Sequence, residues 1–147
     1  MAPTPQASRL RQGRYSQSGQ IYLVTAVTAQ RRAVFADFHA ARSMVRIFYQ
    51  NDAAIHAQTL AYVVMPDHFH WLFQLGENER LSRCVQRVKS MATKSIGMPI
   101  WQKGFHDHAV RKEEDLPALA RYVVSNPVRA GLVKRVGEYP HWDAIWL

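Results

Sequence analysis

The sequence predicts an α+β domain in which an antiparallel sheet is flanked by helices. Three observations carry that prediction. Strand-type and helix-type periodicities alternate in the order β-α-β-β-α-β-α, the second and third strands are joined by only Pro66-Asp67, and no linker, internal repeat or low-complexity segment divides the chain. A length of 147 residues suits one domain, and 48% hydrophobic with 20% charged residues is a globular balance.

The elements follow in order. Residues 1–19 carry arginines but no apolar core of a signal peptide, so they read as a basic arm ahead of a single domain spanning 20–147. No apolar run approaches the roughly 20 residues of a membrane span, and a cytoplasmic location is expected. Gln20 to Thr28 is β-branched and aromatic, a first strand. Phe35 to Gln50 places Phe38, Ala41, Met44, Val45 and Phe48 at helical spacing. Thr59 to Leu75 is the hairpin. A second helix begins at Leu81, with Cys84, Val85, Val88 and Met91 on its apolar stripe, and stops at Gly97-Met98-Pro99. Ile100 to Val110 reads as an extended segment interrupted at Gly104. A third helix runs from about Glu113 or Asp115 to Ser125, with acidic residues at its N-terminus and Pro117 confined to the first turn. Pro127 stops or kinks it, and the tail from Tyr139, with Trp142 and Trp146, is expected to pack back on the domain.

Chemistry concentrates in the hairpin. Successive side chains of a strand alternate between faces, so His68 and His70 project together while Phe69 and Trp71 point to the core. Two neutral imidazoles so placed can share a divalent metal; equally, they can be hydrogen-bonded histidines with no metal. His106 and His108 repeat the spacing in a less regular segment, where polar surface and an approach to metal or substrate both stay open. Cys84 is the only cysteine, which excludes intramolecular disulfides and Cys-rich zinc sites and leaves an inert core thiol. On the third helix Tyr122 falls well off the apolar stripe, and Asn126 shares its side one turn later.

The net charge of +8 is unevenly spread. Arg9, Arg11, Arg14, Arg31, Arg32, Arg42 and Arg46 face a single acid, Asp37, in residues 1–50, whereas residues 101–147 are nearly balanced. Such an excess suits a polyanion, most commonly nucleic acid, against the alternative of a merely solubilising surface. Arg83, Arg87 and Lys94 lie on one flank of the second helix, spaced to meet successive phosphates or simply water.

Three stretches together resemble a known family: Met65-Pro66-Asp67-His68-Phe69-His70, Ile100-Trp101-Gln102-Lys103-Gly104-Phe105-His106-Asp107-His108, and Arg121-Tyr122-Val123-Val124-Ser125-Asn126-Pro127-Val128-Arg129-Ala130-Gly131-Leu132-Val133. From about Gly13 onward the chain is similar to REP-associated tyrosine transposases, a domesticated branch of the single-tyrosine HUH (IS200-like) transposases. The resemblance implies a ferredoxin-like or RRM-like HUH endonuclease core. It implies that His68 and His70 bind a divalent cation, Mg2+ or Mn2+, that Tyr122 is the nucleophile, and that Asn126 is a third ligand. It further implies a substrate of single-stranded DNA carrying REP hairpins, cleaved and rejoined through a 5′-phosphotyrosine, and action at the nucleoid, with a monomer favoured over a homodimer and both left open.

The chemistry is coherent with that transfer. A bound cation neutralises phosphate oxygens and favours deprotonation of a phenol, and the energy kept in the phosphotyrosine bond makes ATP unnecessary. Ligand preference alone leans to manganese, because magnesium prefers oxygen donors. Arg9, Arg11, Arg14, Arg83, Arg87, Lys94 and Arg129 are the candidates for holding DNA. The alternative function is a catalytically weak protein that recognises REP hairpins. A zinc hydrolase is disfavoured by the lack of His-Glu-x-x-His, and a replication initiator by the short chain.

Overall fold

The computed structural model describes residues 19–146. Arg9, Arg11 and Arg14 of the expected basic arm lie outside the described residues. The elements are β1 (Ile21–Val27), α1 (Phe38–Ala53), β2 (Ala57–Met65), β3 (His68–Leu75), α2 (Leu81–Ile96), β4 (His106–Ala109), α3 (Leu116–Val124), α4 (Asn126–Arg129) and β5 (Trp142–Ala144). The strands form one five-stranded antiparallel sheet in the order β4-β1-β3-β2-β5. The first four strands with α1 and α2 make the β-α-β-β-α-β pattern of a ferredoxin-like fold. The α+β, ferredoxin-like class expected from the sequence is therefore the one observed, with helices on both faces of the sheet.

The pleat divides the interior in two. Tyr22, Val24 and Ala26 of β1, Tyr62 and Val64 of β2, and Phe69, Trp71 and Phe73 of β3 point to the layer of α1 and α2. There Phe48 sits with its ring centre 5.1 Å from Phe69 and 5.0 Å from Trp71, and each such buried aromatic contributes on the order of 1.5–3 kcal/mol. Leu60, Ala61, Val63, Met65 and Leu72 face the opposite way and meet Ala120, Val123 and Val124 of α3 in a smaller core. The indole of Trp71 donates to Thr59 Oγ1 at 3.0 Å, so the polar atom of the largest buried ring has a partner.

Helix boundaries are set by side chains at their ends. α1 starts at Phe38 rather than Phe35, because the Asp37 carboxylate accepts from the Ala40 amide at 2.8 Å. Val34–Ala36 forms a separate 3-10 turn that buries Phe35. Gly97, at φ 87°, closes α2 in the left-handed conformation that glycine adopts freely. Asp115 caps α3 by accepting from the Ala118 amide at 3.1 Å, with Pro117 in the first turn. After an interruption at Ser125, one further helical turn, α4, starts at Asn126 and carries Pro127 in its first turn.

Two departures stand out. The extended segment before Val110 is a strand only over His106–Ala109, while Trp101 makes an isolated bridge to Thr28. The tail contributes a fifth strand, Trp142–Ala144 paired to Ala61–Val63, which the expected element order lacks. Three residues carry no readable period; the free edge of β2 makes them a strand. No helix among the described residues is long and apolar enough to cross a membrane.

A two-histidine face beside helix α3

β3 is the middle strand of the sheet, and its even positions from His68 to Leu72 face α3. His68 lies between Val27 and Met65 in register, and His70 between Thr25 and Val63. The two imidazole centres are 4.9 Å apart and nearly perpendicular. Each Nδ1 is held by a neighbour: that of His68 bonds Asp67 Oδ1 at 2.7 Å, and that of His70 bonds Thr25 Oγ1 at 2.7 Å. Burial, and to a lesser degree the neighbouring His68 and the Arg129 guanidinium, push His70 down to a pKa of about 4. Its ring is thus neutral near pH 7, the form that ligates metals.

Asp67 is shared. Its other oxygen accepts from Arg31 Nη1 at 2.9 Å. Burial works against its ionisation, but the bonds from His68 and Arg31 outweigh that and hold its carboxyl below the ordinary range.

This donor set suits a divalent cation. Two imidazoles in contact, one of them neutral by burial and both oriented through Nδ1, match how metal-bound histidines are supported. Among the described residues no group of three or more His, Cys, Asp or Glu could hold a metal. Any further ligands would be an amide, water or substrate oxygens, and the all-nitrogen pair leans to manganese over magnesium.

α3 brings the tyrosine. Ala120, Val123 and Val124 bury against the sheet, which leaves Tyr122 on the outer side, 58% exposed. Its ring lies under the Arg129 guanidinium, whose carbon is 4.0 Å from the ring centre. Arg129 is also hydrogen-bonded to Ser125 Oγ, and the Ser125 hydroxyl donates to the Tyr122 carbonyl at 3.2 Å. α3 thus carries Tyr122, with Arg129 on its ring, over the sheet face that bears His68 and His70. Asn126, half-buried, opens α4.

Other expected site residues are elsewhere. Arg83, Arg87 and Lys94 sit on α2, in the layer on the opposite face from His68 and His70. Arg87 is engaged by Glu79 at 3.0 Å, while Arg83 and Lys94 are exposed. His106 and His108, left open above, occupy the face of the histidine pair: His106 is level with Thr25, and His108 bonds Glu114 at 2.9 Å. Asp67, Arg31 and Thr25 were not singled out from sequence. Asp67 adjoins His68 in the chain and was legible as a partner; Thr25 meets His70 only through strand register.

Comparison with known proteins agrees with this architecture. A sequence model of the family described as "Transposase IS200 like" matches residues 16–126. The chain is 36% identical over 83 residues to the REP-associated tyrosine transposase of Escherichia coli (strain K12), covering 54% of this chain and 50% of that protein. It is 29% identical over 100 residues to a putative REP-associated tyrosine transposase of Haemophilus influenzae, covering 57% of each. The chain thus spans about half the length of the curated relatives it matches. A solved structure of a REP-associated tyrosine transposase bound to a REP hairpin superposes with a TM-score of 0.75 at 28% identity, over 88% of this chain and 79% of that one. A putative transposase from Deinococcus radiodurans shares the fold, with a TM-score of 0.52 at 19% identity over 78% of this chain and 95% of that one. With the family's match running from before the first strand to Asn126, through both histidines and the tyrosine helix, this chain belongs to the IS200-like transposases.

Proposed function

We propose that this protein is a metal-dependent single-stranded DNA endonuclease and transposase that cleaves and rejoins REP-type hairpin DNA through a 5′-phosphotyrosine at Tyr122. The observation that carries the reading is that α3, which presents Tyr122 with Arg129 stacked on its ring, packs on the sheet face that bears His68 and His70. A phenol, a cationic side chain and a pair of metal-competent imidazoles then share one neighbourhood.

In this reading His68 and His70 bind the cation, and Asn126 is the candidate to complete its protein ligands. When bound, the ion supplies charge neutralisation for the phosphate oxygens and a fixed orientation of the group. Tyr122 Oη attacks phosphorus as it gives up its proton, with the Arg129 guanidinium stacked on its ring. The P–O3′ bond breaks, and the departing oxygen takes a proton to become a free 3′-hydroxyl. Attack of a 3′-hydroxyl on the phosphotyrosine reverses the step and returns the phenol. The exposure of Tyr122 leaves the phenol reachable by a DNA strand.

Hairpin DNA as substrate is supported by the net charge of +8 and by the likeness to a structure described as bound to a REP hairpin. The test is incubation of labelled hairpin oligonucleotides with wild type and Tyr122→Phe, in manganese, magnesium or chelator. A metal-dependent covalent adduct lost in the phenylalanine variant supports the reading. Hairpin binding with no adduct under any metal overturns it in favour of a binding protein.

A further inference from the structure

We propose that Asp67 and Arg31 form a positioning relay that fixes the proton of His68 on Nδ1 and aims its Nε2 lone pair at the cation. This rests on the reading of His68 and His70 as metal ligands and adds to it how one of them is prepared.

An ionised carboxylate only accepts hydrogen bonds. With Asp67 Oδ1 2.7 Å from His68 Nδ1, the single proton of a neutral His68 ring sits on Nδ1, and Nε2 is left as the donor atom. His70 has no such instruction, because its partner, the Thr25 hydroxyl at 2.7 Å, can give or take the proton. The two imidazoles are therefore not equivalent. His68 is set in advance, and His70 adjusts.

Asp67 is itself held from several directions, through its side chain and its backbone. Arg31 Nη1 bonds Oδ2 at 2.9 Å. The Asp67 carbonyl accepts from the Thr28 amide at 2.9 Å, the Thr28 hydroxyl donates to the Arg32 carbonyl at 2.7 Å and lies 3.1 Å from the Asp67 carbonyl, and the Phe35 amide donates to the Pro66 carbonyl at 2.9 Å. Thr28 is fully buried, so this staple is shielded from water. The segment that delivers Arg31 takes an uncommon backbone path: Gln30 and Arg31 have φ of 56° and 52°, a left-handed pair without glycine. The chain accepts strained backbone where it places a guanidinium on the carboxylate that orients a histidine.

Arg31 and Asp67 are positioning residues acting through His68, so their effect has to appear in the ligand and not only in turnover. The experiment uses the full chain, with Mn2+ alone as probe. Titration calorimetry gives the Mn2+ affinity, and long-range 15N–1H NMR of the metal-free protein reads the His68 tautomer. Asp67→Ala is expected to lose the Nδ1–H preference and to weaken Mn2+ by about 10–100-fold. Asp67→Asn keeps an oxygen acceptor at the same place and is expected to restore both, to within a few-fold. Arg31→Met should weaken Mn2+ several-fold with unfolding unchanged, and it serves if Asp67→Ala fails to fold.

A wild-type tautomer and affinity in Asp67→Ala would overturn the relay while leaving the metal reading intact. So would an Asp67→Asn loss as deep as that of alanine, since charge and not aim would then be responsible. Mn2+ binding indifferent to His68→Ala and His70→Ala would sink the metal reading and the relay with it.

Discussion

The guanidinium carbon of Arg129 lies 4.0 Å from the ring centre of Tyr122, seven residues earlier and one helix away. Seven residues are two helical turns, so the pair meets because α4 resumes helical backbone directly after Ser125. Replacing Arg129 by Met removes the cation and keeps most of the bulk. We expect adduct formation under single-turnover conditions to slow by about tenfold, equivalent to about 1.4 kcal/mol. Arg129→Lys should fall between, because ammonium keeps charge without the planar stack. Hairpin affinity measured in chelator separates this from a loss of DNA binding, and an unchanged adduct rate would reduce Arg129 to a packing role.

Metal removal should separate binding from chemistry. His70→Ala, or chelator with wild type, is expected to abolish the adduct while hairpin affinity stays within a few-fold. A parallel collapse of affinity in a gel-shift assay would mean that the cation holds the DNA as a whole rather than one phosphate.

Lys89 is buried, 7% exposed, and its ammonium donates to the carbonyls of Gln102 at 3.1 Å and Gly104 at 2.8 Å. Burial lowers its pKa. It ties α2 to the strap that leads into β4. Lys89→Met leaves both carbonyls without that donor, and urea unfolding should show a loss of about 1–3 kcal/mol. A variant as stable as wild type would mean that water replaces the ammonium at no cost.

Glu114 gives a pH signature. Its carboxyl is held below the usual range by the Arg111 amide at 2.8 Å and by His108 at 2.9 Å. A depressed folded pKa adds stability above the unfolded carboxylate range, and that stability is lost as pH falls through the folded value. Glu114→Gln should therefore melt below wild type at pH 7, and the gap should close on acidification below about pH 4. The gap is small because the pair faces solvent. A difference that stays constant down to pH 3 would contradict the assignment.

Much of this architecture was legible. The hairpin was set by two runs of strand-type residues around Pro66-Asp67, and α1, α2 and α3 by apolar spacing, because local periodicity reports which face is buried. Periodicity does not report which face of the sheet a helix covers. The basic flank of α2 was readable as a flank, yet nothing local places it across the sheet from His68 and His70. Contacts made by register were hidden in the same way: Thr25 with His70 depends on pairing across 45 residues, and Lys89 with Gly104 on the path of an irregular strap. The Tyr122 side of α3 was readable because an off-stripe aromatic has to face outward.

The sheet ends in two very short strands, four residues of β4 on one side and three of β5 on the other. Between them β2 is buried at every position but Gln58, the kind of apolar strand that recruits foreign chains when its backbone groups are open. The Ala61–Val63 stretch is closed by β5, and what the molecule offers a stranger is a margin too short to zip onto. β5, whose Ala144 also joins the smaller core, thus occupies the backbone groups through which that edge would pair with another strand.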